Sequence, residues 1–230
     1  MRILAIETSG KQGSLAALTG EPGHARQLRQ IILPSEQRTA QILAPRLRSL
    51  LADVGWSPAR VELVAVTIGP GSFTGLRIGV TTAKTFAYAV GAQIIGADTL
   101  EVLAMQAPPQ AGILWSIIDA QRQELFVAKF ELDATGQISR RSKTLIVPQD
   151  TWLSNLQAGD RVIGPALQRL SPRVPKDVVM LPGELWQPTA NTLGQLAWQL
   201  YQAGQRDDMW KLVPNYYRPS AAEEKASKEK

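Results

Sequence analysis

The sequence predicts an α/β protein built as a twofold repeat, and two internal echoes together with its composition carry that reading. An apolar strand ending in an acid occurs twice, "RILAIE" closing on Glu7 and "ILWSIID" closing on Asp119, each followed by a polar turn and a returning strand. A second apolar run ends on Gly-Pro in both halves, as Ile68-Gly69-Pro70 and Ile163-Gly164-Pro165. With 230 residues and 44% hydrophobic content the chain can bury two small cores. Hairpin, third strand, helix, strand, helix, repeated, is the order of a duplicated ribonuclease-H-like fold with mixed sheets flanked by helices.

In the first half "RILAIE", the turn "TSGKQG" and "SLAAL" make a β-hairpin, and "QLRQIIL" supplies a third strand. "EQRTAQILAPRLRSLLADVG" places Ile42, Leu43, Leu47, Leu50 and Leu51 on one helical stripe closed by Gly55. Pro45 inside it predicts a kink or a late start. "VELVAVTI" is a continuous apolar run of the kind buried in a parallel sheet. A helix from about Gly75 to Val90, the strand "AQIIGAD" and the helix "TLEVLAMQA" complete the half, and Pro108-Pro109 marks the boundary.

The second half repeats the hairpin as "ILWSIIDAQRQELFVAKF" and continues with one strand over "GQISRRSKTLIV", a weak helix from about Gln149, and "RVIGPALQRL". It is shorter between matching landmarks. A last helix, "TANTLGQLAWQLYQAG", aligns Leu193, Leu196, Ala197, Leu200 and Tyr201 before a glycine stop. The expected organisation is a lobe over 1–107, a smaller lobe over 110–218 whose last helix packs back on the first, and a disordered tail over 219–230, "SAAEEKASKEK" being charged and poor in apolar residues.

Composition removes several function classes. There is no cysteine, hence no disulfide, thiolate metal site or cysteine nucleophile, and the single histidine, His24, sits in the turn-like "GEPGHARQ". Histidine-based metal centres and a serine-histidine triad are thereby disfavoured. No run reaches the roughly 18 apolar residues of a membrane span, and "MRILAIETSG" lacks a signal-peptide pattern, so the expected location is cytoplasmic. The net charge of +5 favours acidic partners. Part of it is local: Arg26, Arg29, Arg38, Arg46 and Arg48 face only Glu36. That stretch reads as a solvated basic face ahead of an RNA site, because no aromatics interleave with it.

"TIGPGSFTGLRIGV", residues 67–80, resembles a phosphate cradle at first sight. Gly69, Gly71 and Gly75 are spaced G-x-G-x-x-x-G, one residue longer than the dinucleotide fingerprint, and Leu76 stands where a Walker loop requires lysine. Backbone amides at a helix N-terminus could still receive an anion, which makes Gly71, Ser72, Thr74 and Gly75 weak candidates. The alternative is that the glycines permit tight turning while Ser72 or Thr74 caps the helix. Beyond the loop, Gly79, Ala83 and Ala87 recur at helical spacing beside Arg77, and with Leu76, Val80 and Phe86 assigned to the sheet they form a candidate partner face. Glu7 and Asp119 could hold magnesium between the lobes, or simply cap turns.

"MRILAIETS", "GPGSFTGLRIGVTTAKTFA", "GADTLEVLA", "IDAQRQELFVAKF" and "PNYYRPSA" resemble the bacterial TsaB (YeaZ) family, in the Gcp-like group of the actin-like ATPase superfamily. The resemblance spans nearly the whole chain and is densest from Thr67 to Ala104. It implies a non-catalytic, cytoplasmic subunit in the synthesis of N6-threonylcarbamoyladenosine in tRNA, pairing with the paralogous transferase TsaD and with the ATPase TsaE. It also implies a homodimer in isolation, indirect contact with tRNA, no intrinsic cofactor, and at most a nucleotide at a shared interface. The alternative is an actin-like-fold nucleotide-binding or phosphotransfer enzyme using Glu7, Asp119 and the glycine loop. The transferase's metal-binding histidine pair has no counterpart in Glu36-Gln37-Arg38-Thr39-Ala40, so no metal site is carried over. Family members commonly have aspartate in place of Glu7 and a histidine near Arg38 or Thr39. The resemblance places the pairing surface on the helix beginning at Gly75 and on the one near Gln41 to Leu51.

Overall fold

The computed structural model describes residues 1–218; the expected tail, 219–230, lies outside the described residues. In chain order the first half contains β1 (Arg2–Glu7), β2 (Ser14–Glu21), β3 (His24–Ile32), α1 (Thr39–Asp53), β4 (Leu63–Gly69), α2 (Phe73–Val90), β5 (Gln93–Asp98) and α3 (Thr99–Met105). The second contains β6 (Gly112–Asp119), β7 (Glu124–Leu132), β8 (Ile138–Arg140), β9 (Leu145–Pro148), α4 (Gln149–Ser154), β10 (Arg161–Ile163), α5 (Leu167–Leu170), β11 (Val179–Met180) and α6 (Ala190–Gln202).

The first sheet runs β3-β2-β1-β4-β5 and the second β8-β7-β6-β10-β11, so the two halves share one topology. In each, an antiparallel hairpin and its third strand are joined through the first strand to two parallel strands. This is the duplicated α/β arrangement of mixed sheets flanked by helices that the repeat predicts.

Both faces of the first sheet are covered, which is why β1 and β4 carry the unbroken apolar runs 3–6 and 63–66. Leu4, Ile6, Val64 and Val66 meet Leu43, Leu47, Leu50 and Leu51 of α1 and Val80, Ala83 and Ala87 of α2. On the opposite face Ile3, Ala5, Ala16 and Leu18 meet Val102 of α3 and Ala190, Leu193, Leu196 and Ala197 of α6. Helix α3 is shared: its Leu100, Leu103 and Ala104 join Leu114, Ala128 and Phe130 in the second sheet's core. The far face of that sheet is closed by Trp152, Leu167 and Leu170 from α4 and α5. Arg161, almost fully buried, donates to the carbonyls of Gln110 and Pro108 at 2.9 and 3.1 Å and pins the connection between the halves.

Two local expectations change. Helix α1 runs unbroken through Pro45, which lies on its exposed side. The single strand expected over "GQISRRSKTLIV" is instead β8 and β9, both paired to β7. The chain turns between them because Arg140 Nε donates to the Ser142 carbonyl while Ser142 Oγ accepts from the Lys129 amide.

Candidate functional site

Glu7 ends β1 inside the protein and is completely buried. Its Oε1 accepts from the Ser9 amide at 2.7 Å, from Ser9 Oγ, and from Thr67 Oγ1 at 3.4 Å, whereas Oε2 has no partner. Burial pushes its carboxyl up from 4.5 to about 7, against the lowering effect of those three hydrogen bonds. A raised folded-state value means stability is fully present below pH 4.5 and is lost as pH rises through about 7. The difference in unfolding free energy between wild type and Glu7→Gln should therefore change by about 3 kcal/mol between pH 4.5 and 8. Denaturant titrations of both proteins across that range check this; parallel pH profiles would contradict it.

The turn after Glu7 explains the glycines of 67–80. Ser72 N donates to the Ser9 carbonyl at 2.7 Å and Thr8 Oγ1 donates to the Gly75 carbonyl at 2.8 Å. A Cβ at Gly71, Gly75 or Gly79 would overlap the Ser9 carbonyl, the Thr8 carbonyl and Thr8 Oγ1 respectively. Ser72 Oγ caps α2 by accepting from Gly75 N at 3.2 Å. The space considered for an anion beside Gly71, Ser72 and Gly75 is thus filled by the protein's own Thr8-Ser9 turn, and Thr74 faces solvent. Glycine serves close backbone approach here.

Glu7 and Asp119 are engaged separately. Asp119 Oδ1 accepts from the Gln121 amide at 2.8 Å and Oδ2 pairs with Arg169 at 3.2 Å. Among the described residues no group of three or more His, Cys, Asp and Glu side chains could hold a metal ion. His24 opens β3, exposed and 3.4 Å from Glu21. Arg26 and Arg29 pair with Glu21 and Asp53, while Arg38 lies exposed just before α1 and Arg46 and Arg48 exposed on it.

The expected partner face requires a correction. Gly79, Ala83 and Ala87 point into the molecule, with Ala83 and Ala87 wholly buried on the first sheet, because small residues let α2 settle on the strands and on Thr8. The exposed ridge of α2 is Thr74, Thr81, Thr85 and Ala89. Arg77 does sit on the exposed side, over the Phe73 ring at 4.0 Å, donating from Nε to Tyr216 Oη at 2.9 Å. Beside that ridge Tyr88 and Trp210 meet edge to face at 5.5 Å, 66% and 70% exposed, and Val213 and Tyr216 extend the apolar strip. Periodicity could not reveal Trp210 and Tyr216, which lie in irregular chain after α6. The visible signal was the aromatic-rich "MWKLVPNYY" beyond the Gly204 stop.

A family model described as TsaD, tRNA N6-adenosine threonylcarbamoyltransferase, matches residues 32–145. The TsaB protein of Bacillus subtilis, named as a tRNA threonylcarbamoyladenosine biosynthesis protein, is 31% identical over 163 residues, covering 71% of this chain and 69% of the relative. The chain belongs to the TsaB family. The Escherichia coli TsaB is 27% identical over 228 residues, 96% of each chain. YeaZ from Pseudomonas aeruginosa superposes with a TM-score of 0.76 at 25% identity, covering 94% of this chain and 99% of that one. A Pseudomonas aeruginosa protein described as similar to the peptidase YeaZ gives 0.80, with the same identity and coverage. The two-sheet architecture is therefore that of the solved YeaZ and YeaZ-like chains. Among the described residues no helix is long and apolar enough to cross a membrane.

Proposed function

We propose that this chain is a non-catalytic scaffold in the synthesis of N6-threonylcarbamoyladenosine in tRNA, pairing through the outer surfaces of α1 and α2 with the paralogous transferase TsaD, in an assembly that TsaE joins. The observation that carries the reading is the exposed Tyr88-Trp210 pair beside the Thr81-Thr85-Ala89 ridge. Aromatic residues held rigid and exposed at the centre of a patch are the usual anchors of protein interfaces. A paralogous partner is supported by the match of residues 32–145 to the transferase family's own model. Two chains with one ancestral fold can meet through equivalent helices in a pseudo-symmetric pair, and the same surface could join two copies of this chain.

A scaffold role is also supported by the interior. The acid at the end of β1 is sealed from solvent, and the glycine loop is packed against the Thr8-Ser9 turn. Replacing Trp210 by alanine should weaken association with the transferase by about 30-fold, the loss expected for an anchor worth about 2 kcal/mol. Calorimetric titration of wild type and Trp210→Ala against the transferase checks this. Equal affinities would remove the strip from the interface.

A further inference from the structure

After α6 the chain does not leave the molecule but runs back along the first half and then crosses to the second. Asp207 Oδ2 accepts from the Gly96 amide of β5 at 2.8 Å. Lys84 Nζ of α2 donates to the Trp210 and Leu212 carbonyls at 3.3 and 3.0 Å, and Leu212 is buried in the first sheet's core. The Asn215 amide donates to the Ile68 carbonyl at 2.7 Å, and the Tyr216 ring lies 4.7 Å from Phe73. The contacts of the next two residues reach the second half. Tyr217 packs against Phe126 of β7 at 5.8 Å, and its hydroxyl lies 3.5 Å from Asp98 Oδ2. Arg218 donates to the Ala120 carbonyl at 2.9 Å and pairs with the Glu124 carboxylate.

We infer that residues 207–218 form a clamp that fixes the second sheet and its helices against the first, with Asp98 as the node where the two halves and the clamp meet. Asp98 Oδ1 caps α3 by accepting from the Leu100 and Glu101 amides, which leaves Oδ2 for the other side. That oxygen meets Arg140 at 3.4 Å and Thr144 Oγ1 at 3.3 Å, both from the second half, as well as Tyr217. Arg140, Thr144, Asn215 and Tyr217 line one open groove of about 720 Å³, which the clamp crosses. Helix α3, with apolar side chains in both cores, ties the halves, as do α6, which returns from the second half onto the first sheet, and Arg161, which holds the connection between them. The clamp adds a further tie, between the end of β5 in the first sheet and the β6–β7 turn of the second. Because the same segment carries Lys84's carbonyl partners and Tyr216's contact with Arg77, it also makes α2 and the β6–β7 turn one mechanical unit.

The absence of cysteine makes the test direct. Spin labels on Ser57→Cys and Thr151→Cys, both exposed and one in each half, report the distance between the halves in the full chain. A narrow distribution is expected without further change, and Tyr217→Ala combined with Arg218→Ala should at least double its width. The amide of Asn215 should lose protection from hydrogen exchange by about tenfold in the same variant. Should that double variant fail to fold, Glu124→Gln breaks the ion pair from the other half with the clamp sequence intact, and a smaller broadening in the same direction is expected. An unchanged distribution in the folded variant would overturn the clamp.

Discussion

Ala83→Glu should abolish folding, whereas Thr85→Glu, two residues further along the same helix, should leave stability within about 0.5 kcal/mol of wild type and abolish pairing. Ala83 is wholly buried among Leu43, Leu47, Val64 and other apolar side chains of the first core, so a carboxylate there has neither water nor a partner. The group must be protonated or the helix must lift, and either costs about 5 kcal/mol, comparable with the whole stability of a small domain. Thr85 lies on the opposite side of α2, exposed. Glutamate there leaves the monomer core untouched but sets an unpaired charge in the proposed contact. Thermal unfolding followed by circular dichroism, with co-purification against the transferase, separates the two outcomes. A folded Ala83→Glu protein would mean that α2 is seated differently on the sheet.

Gly75→Ala carries the second large effect. A methyl group at this position would overlap the carbonyl oxygen of Thr8, a backbone atom that cannot swing aside as the end of a flexible side chain would. The first turn of α2 must then shift away from the turn after β1. That breaks or lengthens the bond from Thr8 Oγ1 to the Gly75 carbonyl and the bond from Ser72 N to the Ser9 carbonyl. Overpacking of this kind costs about 3 kcal/mol, even though alanine is otherwise the better helix former. Guanidinium unfolding measures the loss. A neutral or stabilising effect would show that the loop has room for an occupant, and would reopen the anion reading of Gly71, Ser72, Thr74 and Gly75.

The fold was legible in the sequence because its signals are local and repeated. The apolar runs of β1, β4 and β6 have the continuous pattern of strands covered on both faces, and the two Gly-Pro endings mark equivalent points. What sequence could not decide was which side of α2 faces the sheet. Gly79, Ala83 and Ala87 form a small-residue stripe equally suited to an inner or an outer neighbour, and the inner one exists because Thr8 approaches the helix backbone. The division of "GQISRRSKTLIV" into β8 and β9 depends on hydrogen bonds from Arg140 and Ser142, which no periodicity encodes. Trp210 and Tyr216 acquire their positions from contacts made more than a hundred residues away in the chain, with Tyr88, Lys84, Arg77 and Phe73.

The status of Glu7 separates a scaffold from an enzyme of the same fold. A catalytic carboxylate must reach metal or substrate, and this one is sealed behind Ser9 and Thr67 with its remaining oxygen facing protein. The decisive measurement is reconstituted threonylcarbamoylation of tRNA by the proposed partners TsaD and TsaE, with this chain added as wild type, Glu7→Gln or Thr85→Glu. The scaffold account predicts that Glu7→Gln supports a rate within about twofold of wild type, while Thr85→Glu lowers it to the rate without the chain. Loss of modification in Glu7→Gln with full activity in Thr85→Glu would contradict it.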